Sequence, residues 1–68
     1  MANPKAGDPV AFYPAPEDPG ARLSAAVLAR IVVVHEDGTA DVEVEGVILE
    51  NVERTPADVP FAPHTWTP

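Results

Sequence analysis

Between residues 24 and 45 the apolar and polar positions follow two different rhythms. Residues 28–34, Leu-Ala-Arg-Ile-Val-Val-Val, are apolar apart from Arg30 and rich in β-branched side chains, which suit a pleated, buried surface. Residues 41–45 alternate strictly, with Asp41, Glu43 and Glu45 pointing one way and Val42 and Val44 the other. Between the two runs, Asp37-Gly38 supplies the positive φ of a tight turn. The pattern predicts a β-hairpin with one wet face and one core face.

The rest of the chain is built outward from that hairpin. Residues 1–9 carry Pro4, Gly7 and Pro9 and read as an extended arm. Residues 10–13 form a first strand, which Pro9 and Pro14 confine to an edge or to a few residues. The stretch 14–22 holds Pro14, Pro16, Pro19 and Gly20 and is an irregular, stiff loop. Strand two is expected over 24–34. Ala26 and Leu28 share a face that Ile31 joins only through a phase shift, so a bulge or bend is expected near Ala29-Arg30. A helix over 21–34 competes, because Ala, Leu and Arg favour it; the β-branched run 31–34 leading into Glu36-Asp37-Gly38 decides for strand.

Strand three is expected over 39–45, with Gly46 at a turn or bulge. Strand four covers 47–49 and continues through Glu53, with Asn51 at a turn and Val52 returning to the core. Beyond Arg54, Pro56, Pro60, Pro63 and Pro68 leave room for no more than one short turn at 55–58. Phe61 and Trp66 lie in this tail, and Trp66 serves either as a lid on its own barrel or as an anchor for another chain. The expected architecture is all-β: a small barrel of about five antiparallel strands over 10–53, an arm over 1–9 and an irregular tail over 54–68.

Composition narrows the functions open to such a domain. A chain of 68 residues buries only about 60% of the surface its unfolded state exposes, and without cysteine it has neither disulfides nor thiolate metal sites for support. An economical β-barrel, assembly into an oligomer or docking on a larger partner are the remaining routes, and the lack of cysteine fits a reducing compartment. A formal net charge of −7, with only Lys5, Arg22, Arg30 and Arg54 as basic residues, disfavours nucleic acid and anionic membranes as partners. No apolar run approaches the roughly 20 residues that span a bilayer. The first residues show no hydrophobic signal segment, so the expectation is a soluble protein not exported by such a signal.

Candidate chemistry is sparse. His35 sits beside Glu36 and Asp37 in the turn, where a solvated histidine is ordinary, and His64 lies in the tail. Asp41, Glu43 and Glu45 follow one another at about 7 Å along one strand face, too far apart for one strand to chelate a hard cation; the stripe reads as a solvated face or a contact surface for a basic partner. Ser24 is the sole serine and there is no Gly-x-Ser-x-Gly or phosphate-cradling loop. A barrel this small is also expected to lack a pocket of a few hundred Å3. Neither enzyme activity nor a metal or cofactor is expected. Phe12 and Tyr13 begin the proline loop, where aromatics can line a slot for proline-rich peptides; the plainer reading makes Phe12 core and Tyr13 its half-exposed neighbour.

The series Gly7-Asp8-x-Val10-x-Phe12-Tyr13, Ala25-Ala26-Val27-Leu28-x-x-Ile31, Asp37-Gly38-Thr39-x-Asp41-Val42-x-Val44, Asn51-Val52 and Pro63-His64-Thr65-Trp66-x-Pro68 resembles small SH3-like β-barrel structural proteins of tailed bacteriophages. The resemblance implies a non-enzymatic virion component present in many copies: a capsid decoration protein that binds the major capsid protein, or a head–tail junction or tail accessory piece. Phe12, Tyr13, Phe61 and Trp66 are then the expected apolar anchors, with the two tails as clamps. An acidic cytoplasmic adaptor or inhibitor that binds a basic host protein is the alternative of a different class.

Overall fold

The computed structural model describes residues 4–21 and 26–68. The start of strand two at Ser24, and the first three residues of the arm, lie outside the described residues. Five strands, β1 (Pro9–Tyr13), β2 (Val27–Val34), β3 (Ala40–Val44), β4 (Val47–Arg54) and β5 (Thr65–Thr67), close in that order into a barrel. There is no helix among the described residues. The fold is a small all-β barrel of the SH3-like kind, and residues 27–34 of the segment for which helix competed are strand.

β1 is framed by proline on both sides. Pro9, which has no N–H to contribute, opens it, and Pro14 follows its last residue; Val10 and Phe12 face inward. It is short, as expected, but it is not an edge: β2 pairs with it on one side and β5 on the other. β2 turns the corner of the barrel, pairing with β1 through Val27–Arg30 and with β3 from Arg30 onward.

The expected phase of β2 is reversed. Val27, Ala29 and Ile31 face the core without any shift, while Ala26 is exposed and Leu28 is 78% exposed. The bulge exists but falls later, because Ile31↔Val42 is followed by Val33↔Asp41 and Val32 is the extra residue. Past it, Val32, Val33 and Val34 all stand partly exposed.

The Asp37-Gly38 turn forms as expected. His35 N–H donates to Thr39 O (2.8 Å), and Gly38 takes φ 92°. In β3, Val42 and Val44 are buried and Glu43 exposed, as the alternation requires, with Asp41 half-buried. Glu45 belongs to the next turn and not to the strand: Glu45 (φ 51°) and Gly46 (φ 82°) connect Val44 to its partner Val47, the two positive φ values of a type I′ hairpin. β4 is continuous across Asn51, which takes φ 55° at a bulge. There Val42↔Leu49 gives way to Ala40↔Val52, and Val52 returns to the core as expected.

The tail requires the largest correction. Residues 65–67 form β5, antiparallel to β1 and parallel to β4, so the barrel does not end at residue 53 and its ladders are not all antiparallel. Pro63 and Pro68 flank β5 and leave its own N–H groups intact. Trp66 is only 1% exposed and joins Val10, Phe12, Val27, Ala29, Ile31, Ala40, Val42, Val44 and Val52 in the core. Its indole N–H donates to Val52 O (3.1 Å), which satisfies the one polar atom of a side chain otherwise held by packing. Removing roughly 150–250 Å2 from water for each of Phe12 and Trp66 stabilises the fold by about 4–6 kcal/mol apiece as an upper bound.

A candidate interaction site where the first loop meets the tail

The long first loop is pinned to the barrel by local geometry. Asp18 Oδ2 accepts the Ala15 N–H (2.9 Å), and the Asp18 N–H donates to Ala15 O (2.9 Å). Gly20 has φ 82° and lies so close to β2 that a Cβ there would come within 3.0 Å of Val27 Cγ1. The tail is laid against this loop. His64 N–H donates to Tyr13 O (2.7 Å), and His64 Nδ1–H donates to Asp18 Oδ2 (2.7 Å) across 46 positions of sequence. Because an ionised carboxylate only accepts, this contact fixes which ring nitrogen of His64 carries hydrogen. Thr65 Oγ1 bonds Ala62 O (2.6 Å) and shares a hydrogen bond with Thr55 Oγ1 (2.8 Å), closing the far end of the segment.

Two aromatic side chains are brought together on this frame. The rings of Tyr13 and Phe61 meet edge to face at 5.4 Å and 87°, and Phe61 is 72% exposed. Phe61 also has φ 63°, and His64 φ 57°. A bulky residue in this region is strained by about 1–2 kcal/mol, so Phe61 meets Tyr13 from a backbone conformation that its side chain disfavours. Of the four expected anchors, the structure therefore unites Tyr13 and Phe61. Phe12 and Trp66 are not surface anchors: both are buried, Phe12 with its ring edge-on to His64 at 5.8 Å, and Trp66 beneath the Arg54 guanidinium at 5.4 Å. For Trp66 the lid on its own barrel is the role realised.

The second histidine is used differently. His35 Nε2 and Asp41 Oδ1 lie 2.8 Å apart, and the same oxygen accepts the Asn51 N–H (3.0 Å) at the β4 bulge. The Asn51 N–H, then His35, hold the Asp41 carboxyl below the usual carboxylate range. Asp37 is lowered too, by the hydroxyl and then the N–H of Thr39, both bonded to its Oδ1. These contacts shape the turn and the bulge. Among the described residues, neither histidine is hydrogen-bonded to a hydroxyl or thiol side chain, and no three acidic or histidine groups are placed to hold a metal ion.

One expectation about shape fails. A groove of about 610 Å3 runs between the 35–39 turn and the β4–β5 junction, lined by His35, Asp37, Thr39, Glu53, Arg54 and Pro4 among others. It lies outside the barrel, which is why the narrow interior did not forecast it. Sequence reading also missed the Asp18–His64 clamp, whose partners are too far apart to show any local pattern. Comparison of the chain with family models, with curated proteins and with solved structures finds no match. No helix among the described residues is long and apolar enough to cross a membrane.

Proposed function

We propose that this protein is a non-enzymatic structural component of a phage particle, a capsid decoration protein that docks on the major capsid protein in many copies. The observation that carries the docking half of this reading is Phe61, held outward in a left-handed backbone conformation and braced by Tyr13. A large aromatic side chain presented on a tied-down frame loses little conformational freedom on binding, which makes it a suitable anchor for a pocket on a partner. The capsid half rests on the resemblance of the sequence to phage SH3-like structural proteins. A head–tail junction piece would use the same anchor.

The test is mass spectrometry of purified particles from the source phage, run beside particles carrying Phe61→Ser. The protein is expected in wild-type particles at a stoichiometric level and at least tenfold depleted in the variant, while the isolated variant stays folded. Absence from wild-type particles overturns the proposal.

A second reading, a proline-rich peptide module, is favoured by the same Tyr13–Phe61 pair, since edge-to-face aromatics at a loop junction can cradle a polyproline helix. Titration with a proline-rich peptide, followed through the Tyr13 and Phe61 resonances, separates the two. Saturable shifts at both residues support the peptide module, and their absence removes it.

A further inference from the structure

The barrel closes unevenly along β4. β5 pairs with β4 only at Glu53 and Arg54, so among the described residues no strand lies beside residues 47–50 on the side away from β3. Val44 and Val47 flank the two-residue turn at Glu45-Gly46 and, as in hairpins closed by a type I′ turn, exchange both hydrogen bonds. Bonded and non-bonded pairs alternate along an antiparallel ladder. The next pair, Glu43↔Ile48, is therefore non-bonded, and the Ile48 N–H and C=O point away from β3 to the open side. The side chains there are apolar and incompletely covered. Val47 and Leu49 stand opposite buried Val44 and Val42 and so turn to the core side, yet Val47 is 46% exposed and Leu49 only partly buried. Ile48 lies on the outer face, opposite Glu43, and is 55% exposed. Natural sheets blunt their open edges with lysine, proline or an inward charge; Val47-Ile48-Leu49 carries none of these.

We infer that this edge is a homodimer interface, to which β4 of a second copy adds antiparallel about a two-fold axis through Ile48. The register follows from the backbone. Centred on Ile48, the two copies exchange the N–H and C=O of that residue, the groups that the hairpin turns outward. Val47 of each copy then stands opposite Leu49 of the other on the core side, Ile48 opposite Ile48 on the outer face, and Glu50 opposite Gly46. Apolar meets apolar, and no two carboxylates of this stretch are opposed. Centring on Leu49 instead sets Glu50 against Ile48 and carries the ladder into the Asn51 bulge, where φ is 55°. The segment is its own complement in one register, which is the argument for a second copy as the occupant. A two-fold contact uses the same edge on both copies, so it closes at two and does not grow. The net charge of −7 opposes association only at long range, because charges more than about 8 Å apart are screened at physiological ionic strength. A ladder this short falls below the roughly 1,200 Å2 of a standard interface, so the dimer is a weak one. None of its residues belongs to the Tyr13–Phe61 contact, and the inference is independent of the capsid proposal.

Sedimentation of the intact protein at rising concentration, with amide spectra of the isotope-labelled protein at each step, tests this. A monomer–dimer equilibrium is expected in the upper micromolar range, strengthened by added salt because the like net charges are then screened. Amide shifts with concentration are expected at residues 46–50. Ile48→Pro deletes the outward N–H without touching the ladder to β3 and is expected to weaken the dimer at least tenfold. Ile48→Lys and Ile48→Glu, each alone, are expected to do the same by setting like charges opposite each other. A mixture of those two variants is expected to restore association, because the charges that meet are then opposite. Each variant is checked for the folded amide spectrum of the wild type, and if the proline variant does not fold the charge pair still decides. A protein that stays monomeric up to about 2 mM overturns the inference. So does a dimer that salt weakens, one whose shifts centre elsewhere, or one that survives these substitutions. A Lys–Glu mixture that associates no better than either variant alone overturns it as well, since residue 48 then does not face its own copy.

Discussion

Phe61 and Trp66 lie five residues apart in one proline-rich segment, and their fates are opposite. Trp66 is inserted into the core from a three-residue strand that is paired on both sides, and its indole N–H reaches Val52 O. Phe61 stands in a turn, out in solvent, with a backbone conformation its side chain disfavours. Composition is the same around both, so composition does not decide. Pairing does: β5 finds β1 and β4, and nothing of the kind reaches residue 61. One aromatic closes the fold, and the other stays at its surface against Tyr13.

That contrast can be broken most sharply at Trp66. Trp66→Ala removes the largest core side chain from a small barrel, and the expected loss is about 3–5 kcal/mol, comparable with the entire stability of many small domains. Urea unfolding followed by circular dichroism measures it, and a loss below about 1 kcal/mol would mean that β5 does not seal the barrel. The loop that faces the tail comes next. Gly20→Ala places a Cβ where φ is positive and Val27 is 3.0 Å away, costing about 1–2 kcal/mol from the backbone with crowding added. Gly38→Ala, with φ 92° but nothing within 4 Å, pays the backbone cost alone. Equal losses in the two variants would show that the first loop does not rest on β2.

The same contrast marks how far the sequence could be read. The Asp37-Gly38 turn, the alternation of residues 41–44 and the return of Val52 were legible, because a period of two and a glycine leave local traces. The phase of β2 was not. Leu28 is more hydrophobic than Ala29, yet Ala29 faces inward, as expected where a narrow interior must mix small residues with Phe12 and Trp66. Glu45 gave no sign of its positive φ, since type I′ turns favour Asn, Asp or Gly there. β5 was hidden because three residues between prolines show no periodicity, and its pairing with β1 is decided by the rest of the barrel. At the site, Tyr13 and Phe61 were each singled out, but their meeting depends on Asp18 and His64, which no spacing rule connects.

A smaller effect tests whether Phe61 is held as the structure has it. Phe61→Ala and Phe61→Gly both lose the contact with Tyr13, so the difference between them isolates the backbone. Glycine at φ 63° escapes a cost of about 1–2 kcal/mol but brings about 0.5–1 kcal/mol of extra chain entropy. The glycine variant is expected to be the more stable by about 0.5–1 kcal/mol in paired urea titrations. An alanine variant of equal or greater stability would mean that residue 61 adopts an ordinary conformation in solution, and the aromatic would lose its braced presentation.

The smallest effect concerns what keeps Trp66 supplied with its acceptor. Asp41 bonds the Asn51 N–H at the bulge that turns Val52 inward, and Val52 O receives the indole N–H. The Asp41 carboxyl is held below its ordinary 3.8 by the Asn51 N–H and then by His35, so the folded state binds this proton less readily than the unfolded chain does. Its contribution to stability is therefore fully present above that ordinary value, and it is lost as pH falls through the lowered folded value. Asp41→Asn keeps a carbonyl for Asn51 but not the charge, so the variant is expected to be less stable than wild type at neutral pH. The gap should close as both are taken below the folded value. Asp37 titrates in the same direction, so the comparison is repeated in an Asp37→Asn background to isolate Asp41. A gap that persists unchanged into strong acid would show that the carboxylate charge is not what holds the bulge, and that the inward turn of Val52 is set by packing against Trp66 itself.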